Sequence, residues 1–125
     1  MNILDKIALL ETEAATFGFK WETPQQIKEQ IISEIAEIDV HLQDKHQEKL
    51  QEEIGDLLHA VFSLTVFCGF DPQTTLEKSV NKFEARLTIL KQLTAEKGLS
   101  TLNGKSFDEL MQFWNEAKKR IAAAK

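Results

Sequence analysis

The sequence predicts an all-α protein, a four-helix-bundle-like domain with one additional helix. Apolar residues return every three or four positions through most of the 125 residues, which is the period of an amphipathic helix. The two prolines, Pro24 and Pro72, directly follow the capping residues Thr23 and Asp71, so each stands where a helix begins. No segment shows the apolar-polar alternation of a half-buried strand, and no internal repeat or low-complexity tract breaks the helical pattern.

Residues 2–16 carry Ile3, Ile7, Leu10 and Ala14 on one stripe, and the pattern is lost around Gly18. Phe17, Phe19 and Trp21 are expected to pack a turn. A second helix starts at Pro24, with Ile27, Ile31, Ile35, Ile38 and Leu42 as its apolar stripe, and the polar run Gln43-Asp44-Lys45-His46 ends it. Leu50, Ile54, Leu57, Val61, Leu64 and Phe67 mark a third helix before Gly69. The short connection lets these two helices run antiparallel. Leu76, Val80, Phe83, Leu87 and Leu90 mark a fourth helix from Pro72 to near Gly98. Leu99 to Lys105 is a loop, with Asn103-Gly104 as its turn signal. Ser106 and Glu109 form a capping-box pattern, and Phe107, Leu110, Met111, Trp114 and Ile121 carry a terminal helix to roughly residue 122. Residues 1–125 read as a single domain of a size that can hold one core.

Twenty acidic against fifteen basic residues give a net charge of −5. There is thus no broad positive field to attract nucleic acid or an anionic membrane, while a single nucleotide carrying its own metal ions remains compatible. Cys68 is the one cysteine, so no intrachain disulfide can form, and its position in the apolar run Leu57 to Phe70 predicts a buried thiol. That run contains His59 and is too short to span a bilayer. The N-terminal residues lack the basic, apolar and small-residue pattern of a signal peptide, so a cytoplasmic location is expected.

Glu34 and Glu37 are three positions apart on the second helix, and Glu53 and Asp56 repeat the spacing on the third. Each pair can therefore project from one helical face. Either pair alone reads as a solvated surface, because an acidic protein supplies many such pairs. Two pairs on neighbouring helices, each set beside an apolar stripe, make a stronger constellation. Four carboxylates facing one another repel and are costly to desolvate, unless a hard divalent cation, of which magnesium is the simplest, joins their oxygens. Gly55 stands inside the second pair despite its poor helix propensity, for which close helix packing and room beside a metal site are the two readings.

Here the chain resembles the MazG-like nucleotide pyrophosphohydrolases, an all-α family related to dimeric dUTP pyrophosphatases, over most of its length. Phe17-Gly18-Phe19-Lys20-Trp21 resembles the family's aromatic approach to its first acidic helix. Glu34-Ile35-Ala36-Glu37 and Glu53-Ile54-Gly55-Asp56 resemble its two metal-binding motifs, Lys82-Phe83-Glu84-Ala85-Arg86 its phosphate-contacting helix, and Trp114-Asn115-Glu116-Ala117-Lys118 a feature of its nucleotide pocket. Lys49 stands four residues before Glu53, as in the family. Ser33, Val80 and Ala85 stand where the family commonly has an acid, an Asn and a second Arg.

The resemblance implies that Glu34, Glu37, Glu53 and Asp56 hold Mg²⁺ and serve catalysis, with Lys49, Lys82, Arg86, Trp114 and Lys118 contacting substrate. It implies a nucleoside triphosphate substrate cleaved between its α and β phosphoryl groups to a monophosphate and pyrophosphate, and a homodimer or homotetramer. The residues themselves fit that chemistry, since Lys82 and Arg86 are one helical turn apart and Lys49 lies on the face of Glu53. Trp114 reads equally as a seam residue, Lys49 as a partner of Glu53, and Trp21 as a core or subunit contact with base stacking as the alternative. His41, His46 and His59 form no zinc pattern, so surface or packing roles are expected for them. Two other functions remain compatible with the sequence, a non-catalytic nucleotide sensor and a structural helical dimerisation module.

Overall fold

A computed structural model describes residues 1–124, with Lys125 outside the described residues. Five helices follow one another, α1 (Ile3–Phe17), α2 (Pro24–Asp44), α3 (Gln47–Phe67), α4 (Pro72–Glu96) and α5 (Phe107–Ala124). The fold is all-α, and each predicted helix is present. Two compact units divide the chain, residues 1–76 and residues 77–125. Among the described residues, no single helix is long and apolar enough to cross a membrane.

In the first unit α3 packs against both α2 and α1. The start of α2 is fixed by a reciprocal capping box, in which Thr23 Oγ1 accepts from the Gln26 backbone N–H at 3.3 Å and Gln26 Oε1 accepts from the Thr23 backbone N–H at 3.3 Å. Its end turns through Lys45, a non-glycine residue at φ 59°, and only Lys45 and His46 separate it from α3. Asp44 Oδ1 accepts the His46 backbone N–H at 3.0 Å, and His46 Nδ1 in turn accepts the Lys49 backbone N–H at 3.4 Å. The reversal of the chain is thus held by side chains on both sides of it, and α2 and α3 meet along their length.

The helix α1 is fastened differently. None of its residues is buried, but Glu11 Oε1 accepts from Ser63 Oγ at 2.6 Å and pairs with His59 Nε2 at 2.8 Å across to α3. A polar anchor stands where an apolar seam was expected. In the second unit Leu93 and Thr94 of α4 and Ala117 of α5 are buried, and an Arg120–Glu96 ion pair of 2.9 Å ties the two helices at their ends.

Several expected core positions lie elsewhere. Ile35 and Leu42 of the α2 stripe are exposed, because the inward line runs through Ile27, Glu34 and His41, spaced by seven residues. The α3 positions Ile54 and Val61 are exposed for the same reason, with Ala60 and Ser63 buried instead. Phe17 and Phe19 do not pack a turn; Phe19 is 82 % exposed. Cys68 is exposed as the capping residue of α3, where the helical face no longer directs the side chain inward.

Gly55 has open space around it, since a Cβ there would meet nothing within 4 Å. Close helix packing therefore does not explain it. Gly55→Ala is expected to raise stability by about 0.5–1 kcal/mol, the propensity difference in a helix interior. Urea denaturation measures this, and a loss of stability would show that the space is filled in the working protein.

Candidate metal centre

The first acidic pair reaches the interior because of the phase of α2. Ile27, 0 % exposed, anchors its inward line, and positions seven residues apart return to nearly the same face after two turns. Glu34 and His41 follow on that line, each 9 % exposed. On α3 Glu53 is half-buried, and Asp56, one turn on, is exposed.

These side chains gather into two overlapping groups. Ligand atoms of Glu34, Glu53 and Asp56 lie within 4.8 Å of one another, and so do ligand atoms of Glu37, His41 and Glu53. Glu53 belongs to both. Glu37 is thus brought to Glu53, but to the side shared with His41. Among the described residues no ion pair with Lys or Arg reaches any of the four carboxylates.

Glu34 shows what the centre lacks. Its Oε1 accepts from Gln30 Nε2 at 2.7 Å, while its Oε2 is buried with no hydrogen-bond partner. An orphaned carboxylate oxygen costs several kcal/mol unless a cation or donor meets it, roughly 1–3 kcal/mol being typical for a neutral group. The donor set of Glu34, Glu53 and Asp56 is made only of hard oxygens, which suits Mg²⁺. The residues present fit the ion that the sequence led us to expect.

The same crowding perturbs Glu53. A proton shared with the Glu34 carboxyl, then desolvation, then the charges of Glu34, Asp56 and Glu37 raise its pKa above the ordinary 4.5. Since the folded value exceeds the unfolded one, the stabilisation from that proton is complete below about 4.5 and is lost as pH rises through the elevated folded value. A cation competes for the same oxygens. Magnesium affinity is therefore expected to fall on acidification from about pH 7.5 toward the Glu53 titration, while the metal-free protein gains stability over that window. Calorimetric titration across pH tests this, and equal affinity throughout would contradict it.

His41, for which a surface or packing role is expected, is buried, and one of its ring nitrogens also lies within 4.8 Å of carboxylate oxygens of Glu37 and Glu53. The available signal was its spacing, four residues after Glu37 and three before Asp44, which places all three on one side of α2. Asp44 Oδ2 lies 3.1 Å from His41 Nδ1. The His46 backbone N–H, followed by the His41 side chain, holds the Asp44 carboxyl below its usual pKa. An ionised Asp44 can only accept, so Nδ1 carries the hydrogen.

The expected substrate contacts are distributed between the two units. In the first, the Lys49 backbone is tied to the turn, and its side chain makes no ion pair with Glu53 among the described residues. In the second, the Arg86 guanidinium carbon lies 5.9 Å from the centre of the Trp114 ring, and Phe83 meets the same indole at 5.7 Å. Lys82 and Lys118 are exposed, one turn from Arg86 and Trp114 respectively. Trp21 lines a 620 Å³ groove beside α1, with Ile7, Leu10, Glu11, Ala14, Phe19, Lys20, His59 and Ser63. None of the clustered acids lines that groove.

Comparison with known families decides what this centre is related to. The model of the MazG nucleotide pyrophosphohydrolase domain matches residues 22–88, more than half of the chain. The chain belongs to the MazG family. The matched span contains α2, α3 and both acidic groups, together with Lys49, Lys82 and Arg86, and it ends before Trp114 and Lys118. The chain is 31 % identical over 109 residues to the nucleoside triphosphate pyrophosphohydrolase/pyrophosphatase MazG of Thermotoga maritima, which covers 87 % of this chain and 41 % of that protein. It is 28 % identical over 113 residues to the nucleoside triphosphate pyrophosphohydrolase of Escherichia coli K12, covering 89 % and 43 % respectively. A third relative is the uncharacterised protein YabN of Bacillus subtilis, 31 % identical over 73 residues that make up 58 % of this chain and 15 % of that protein. This MazG chain thus spans about two fifths of the length of the first two relatives.

Proposed function

We propose that this chain is a magnesium-dependent nucleoside triphosphate pyrophosphohydrolase, acting as one catalytic module. The observation that carries the reading is the buried, partnerless oxygen of Glu34 beside Glu53 and Asp56, in a chain of the MazG family. Carboxylates gathered at that density repel one another unless a shared proton or a cation relieves them, and the substrates of pyrophosphohydrolases are polyanions that carry a cation.

In this reading Glu34, Glu53 and Asp56 hold Mg²⁺, with Glu37 completing the acidic set on the far side of Glu53. Bound magnesium supplies Lewis-acid stabilisation of phosphoryl charge and lowers the pKa of water. Gln30 orients Glu34 through its 2.7 Å hydrogen bond, so that the buried carboxylate cannot rotate its orphaned oxygen away. Water adds across the α–β phosphoanhydride, the P–O bond between those groups breaks, and monophosphate and pyrophosphate share the released proton with solvent. Lys49, in the same unit as the acids, would offset charge on the triphosphate, and for Lys82, Arg86 and Lys118 of the second unit phosphate contact is what the family resemblance implies. The Arg86 guanidinium carbon, 5.9 Å from the centre of the Trp114 ring, is within reach of a cation–π contact that leaves its N–H groups for phosphoryl oxygens. Trp114 offers an apolar wall to the nucleoside.

The assembly in this reading is a homodimer or a pair of such dimers. Ile32 and Val40 on α2 and Leu9 and Leu10 on α1 are large apolar residues at least half exposed, the kind of surface that a partner subunit would cover. Light scattering tests this, and a fully active monomer would refute it.

The deciding experiment is incubation with a panel of nucleotides and Mg²⁺ while monophosphate, diphosphate, pyrophosphate and orthophosphate are resolved. Monophosphate with pyrophosphate supports the proposal. Diphosphate with orthophosphate overturns the bond assignment, and magnesium-dependent nucleotide binding without any product selects a sensor.

A further inference from the structure

Asn103-Gly104 is a turn signal that the function above leaves unused. The chain has four asparagines, Asn2, Asn81, Asn103 and Asn115, and only Asn103 precedes a glycine. Leu102 to Lys105 form a β-turn, closed by the Lys105 backbone N–H donating to the Leu102 carbonyl at 3.2 Å. Gly104 stands at φ 86° while Asn103 lies outside the positive-φ region, which is the type II pattern. We propose that Asn103 is a modification site, at which attack by the Gly104 backbone nitrogen converts the side-chain amide to a carboxylate.

The Gly104 nitrogen gives its proton to hydroxide and forms a bond to Asn103 Cγ. The Cγ–Nδ2 bond then breaks, and ammonia leaves with a proton from water, which restores the hydroxide. The product is a five-membered succinimide. Water opens it in one of two ways. Addition at Cγ breaks the new bond to the Gly104 nitrogen and leaves aspartate. Addition at the Asn103 backbone carbonyl carbon breaks the original peptide bond instead and leaves isoaspartate, whose main chain runs through the former side chain. In sum one amide and one water become one carboxylate and one ammonium ion. No metal, oxidant or nucleotide takes part, so this chemistry stands apart from the hydrolase reading.

The structure selects Asn103 over the other three. Its attacking nitrogen is unengaged, because the Gly104 N–H has no hydrogen-bond partner among the described residues. Asn81 and Asn115 lie inside α4 and α5, where the N–H of the following residue is spent in the helical ladder. Asn2 caps α1, its Oδ1 accepting the Asp5 backbone N–H at 2.8 Å, and the β-branched Ile3 crowds the nitrogen that would attack. The Asn103 side chain, by contrast, is free; only its backbone N–H is engaged, donating to Thr101 Oγ1 at 3.3 Å. Asn103 and Gly104 are both exposed, and a Cβ at Gly104 would meet nothing within 4 Å. Rotation of Asn103 toward ring closure therefore costs the 3.2 Å turn bond and displaces no packed neighbour of Gly104.

The test ages the full folded chain in metal-free buffer at neutral and at mildly alkaline pH, followed by ion exchange and by peptide mass spectrometry with isoaspartyl methyltransferase labelling. A more acidic species is expected to accumulate, faster at the higher pH. Its peptide around Asn103 should carry the mass gain of amide-to-acid exchange and resolve into aspartyl and isoaspartyl forms. Conversion at Asn103 is expected to outrun that at Asn81 and Asn115 by about tenfold or more, since a helical N–H must first give up its backbone hydrogen bond. Asn103→Gln, whose longer side chain cannot close the five-membered ring, should lose the acidic species while keeping its helical circular dichroism. Three results would overturn the proposal. One is an acidic species that persists in Asn103→Gln. Another is equal conversion at Asn81 or Asn115. The third is an Asn103 that stays intact in the folded chain while a peptide of residues 99–107 deamidates, which would mean that the turn protects it.

Discussion

Glu53→Gln is expected to lower magnesium-dependent turnover by at least about 10²-fold while leaving the helical fold intact, the scale of loss seen when one preorganised electrostatic contact is removed from an active site. Glu53 is chosen because it is the only residue common to both ligand groups. It is also the carboxyl whose proton affinity is raised by Glu34 and by its other acidic neighbours, so neutralising it relieves repulsion and does not threaten folding. The amide keeps the shape and one oxygen but loses the charge that attracts a cation. Glu37→Gln removes a member of one group only and is expected to cost less. Steady-state kinetics against magnesium concentration, with circular dichroism as the control for folding, measures the pair. Normal turnover in Glu53→Gln would mean that the cluster is a solvated acidic face and that the hydrolase reading has no centre.

The five helices were legible because each boundary has a local chemical cause. Thr23 caps α2 as its place before Pro24 predicts, Ser106 with Glu109 forms the cap that its spacing predicts, and Gly18 closes α1 at φ 107°. What was not legible was the phase of α2. Ile27, Ile31, Ile35, Ile38 and Leu42 form a stripe by apolarity, but the inward line passes through Glu34 and His41, a few tens of degrees around the helix. Hydrophobic periodicity locates a face only when the buried side chains are apolar. At a centre that buries acids the rule fails at the residues of most interest, and the apolar residues flanking them are left exposed.

The same displacement explains why the position of His41 beside the acids is not legible in the sequence. Glu34, Glu37, Glu53 and Asp56 announce themselves as two pairs with equal spacing, whereas a single histidine is ambiguous until its neighbours are placed. Asp44, one turn on in the same helix, meets it at 3.1 Å. The exposed Cys68 misled in the opposite sense. It stands in an apolar run, but one residue past the end of α3, where the periodicity that implied burial no longer applies.

Glu34→Gln is expected to stabilise the metal-free protein and to abolish most of its stabilisation by magnesium. Glu34 is 9 % exposed, has a buried oxygen without a partner and sits beside a second carboxyl, so removing its charge relieves both desolvation and repulsion. In the variant the amide oxygen can still accept from Gln30, and the amide nitrogen can donate to Glu53, which converts an orphaned acceptor into a satisfied donor. The gain is about 1–3 kcal/mol without metal, or a rise of several degrees in Tm for a chain of this size. Magnesium at one hundred times its Kd adds about 2.7 kcal/mol to a protein that binds it only when folded. The unaltered chain should show that increment and Glu34→Gln little of it, so that the gap between the two Tm values closes or reverses when magnesium is added. Thermal melts with and without Mg²⁺ are sufficient to test this. A variant that melts lower than the parent in both conditions, with the magnesium increment intact, would place Glu34 among the structural residues and remove the metal from its buried oxygen.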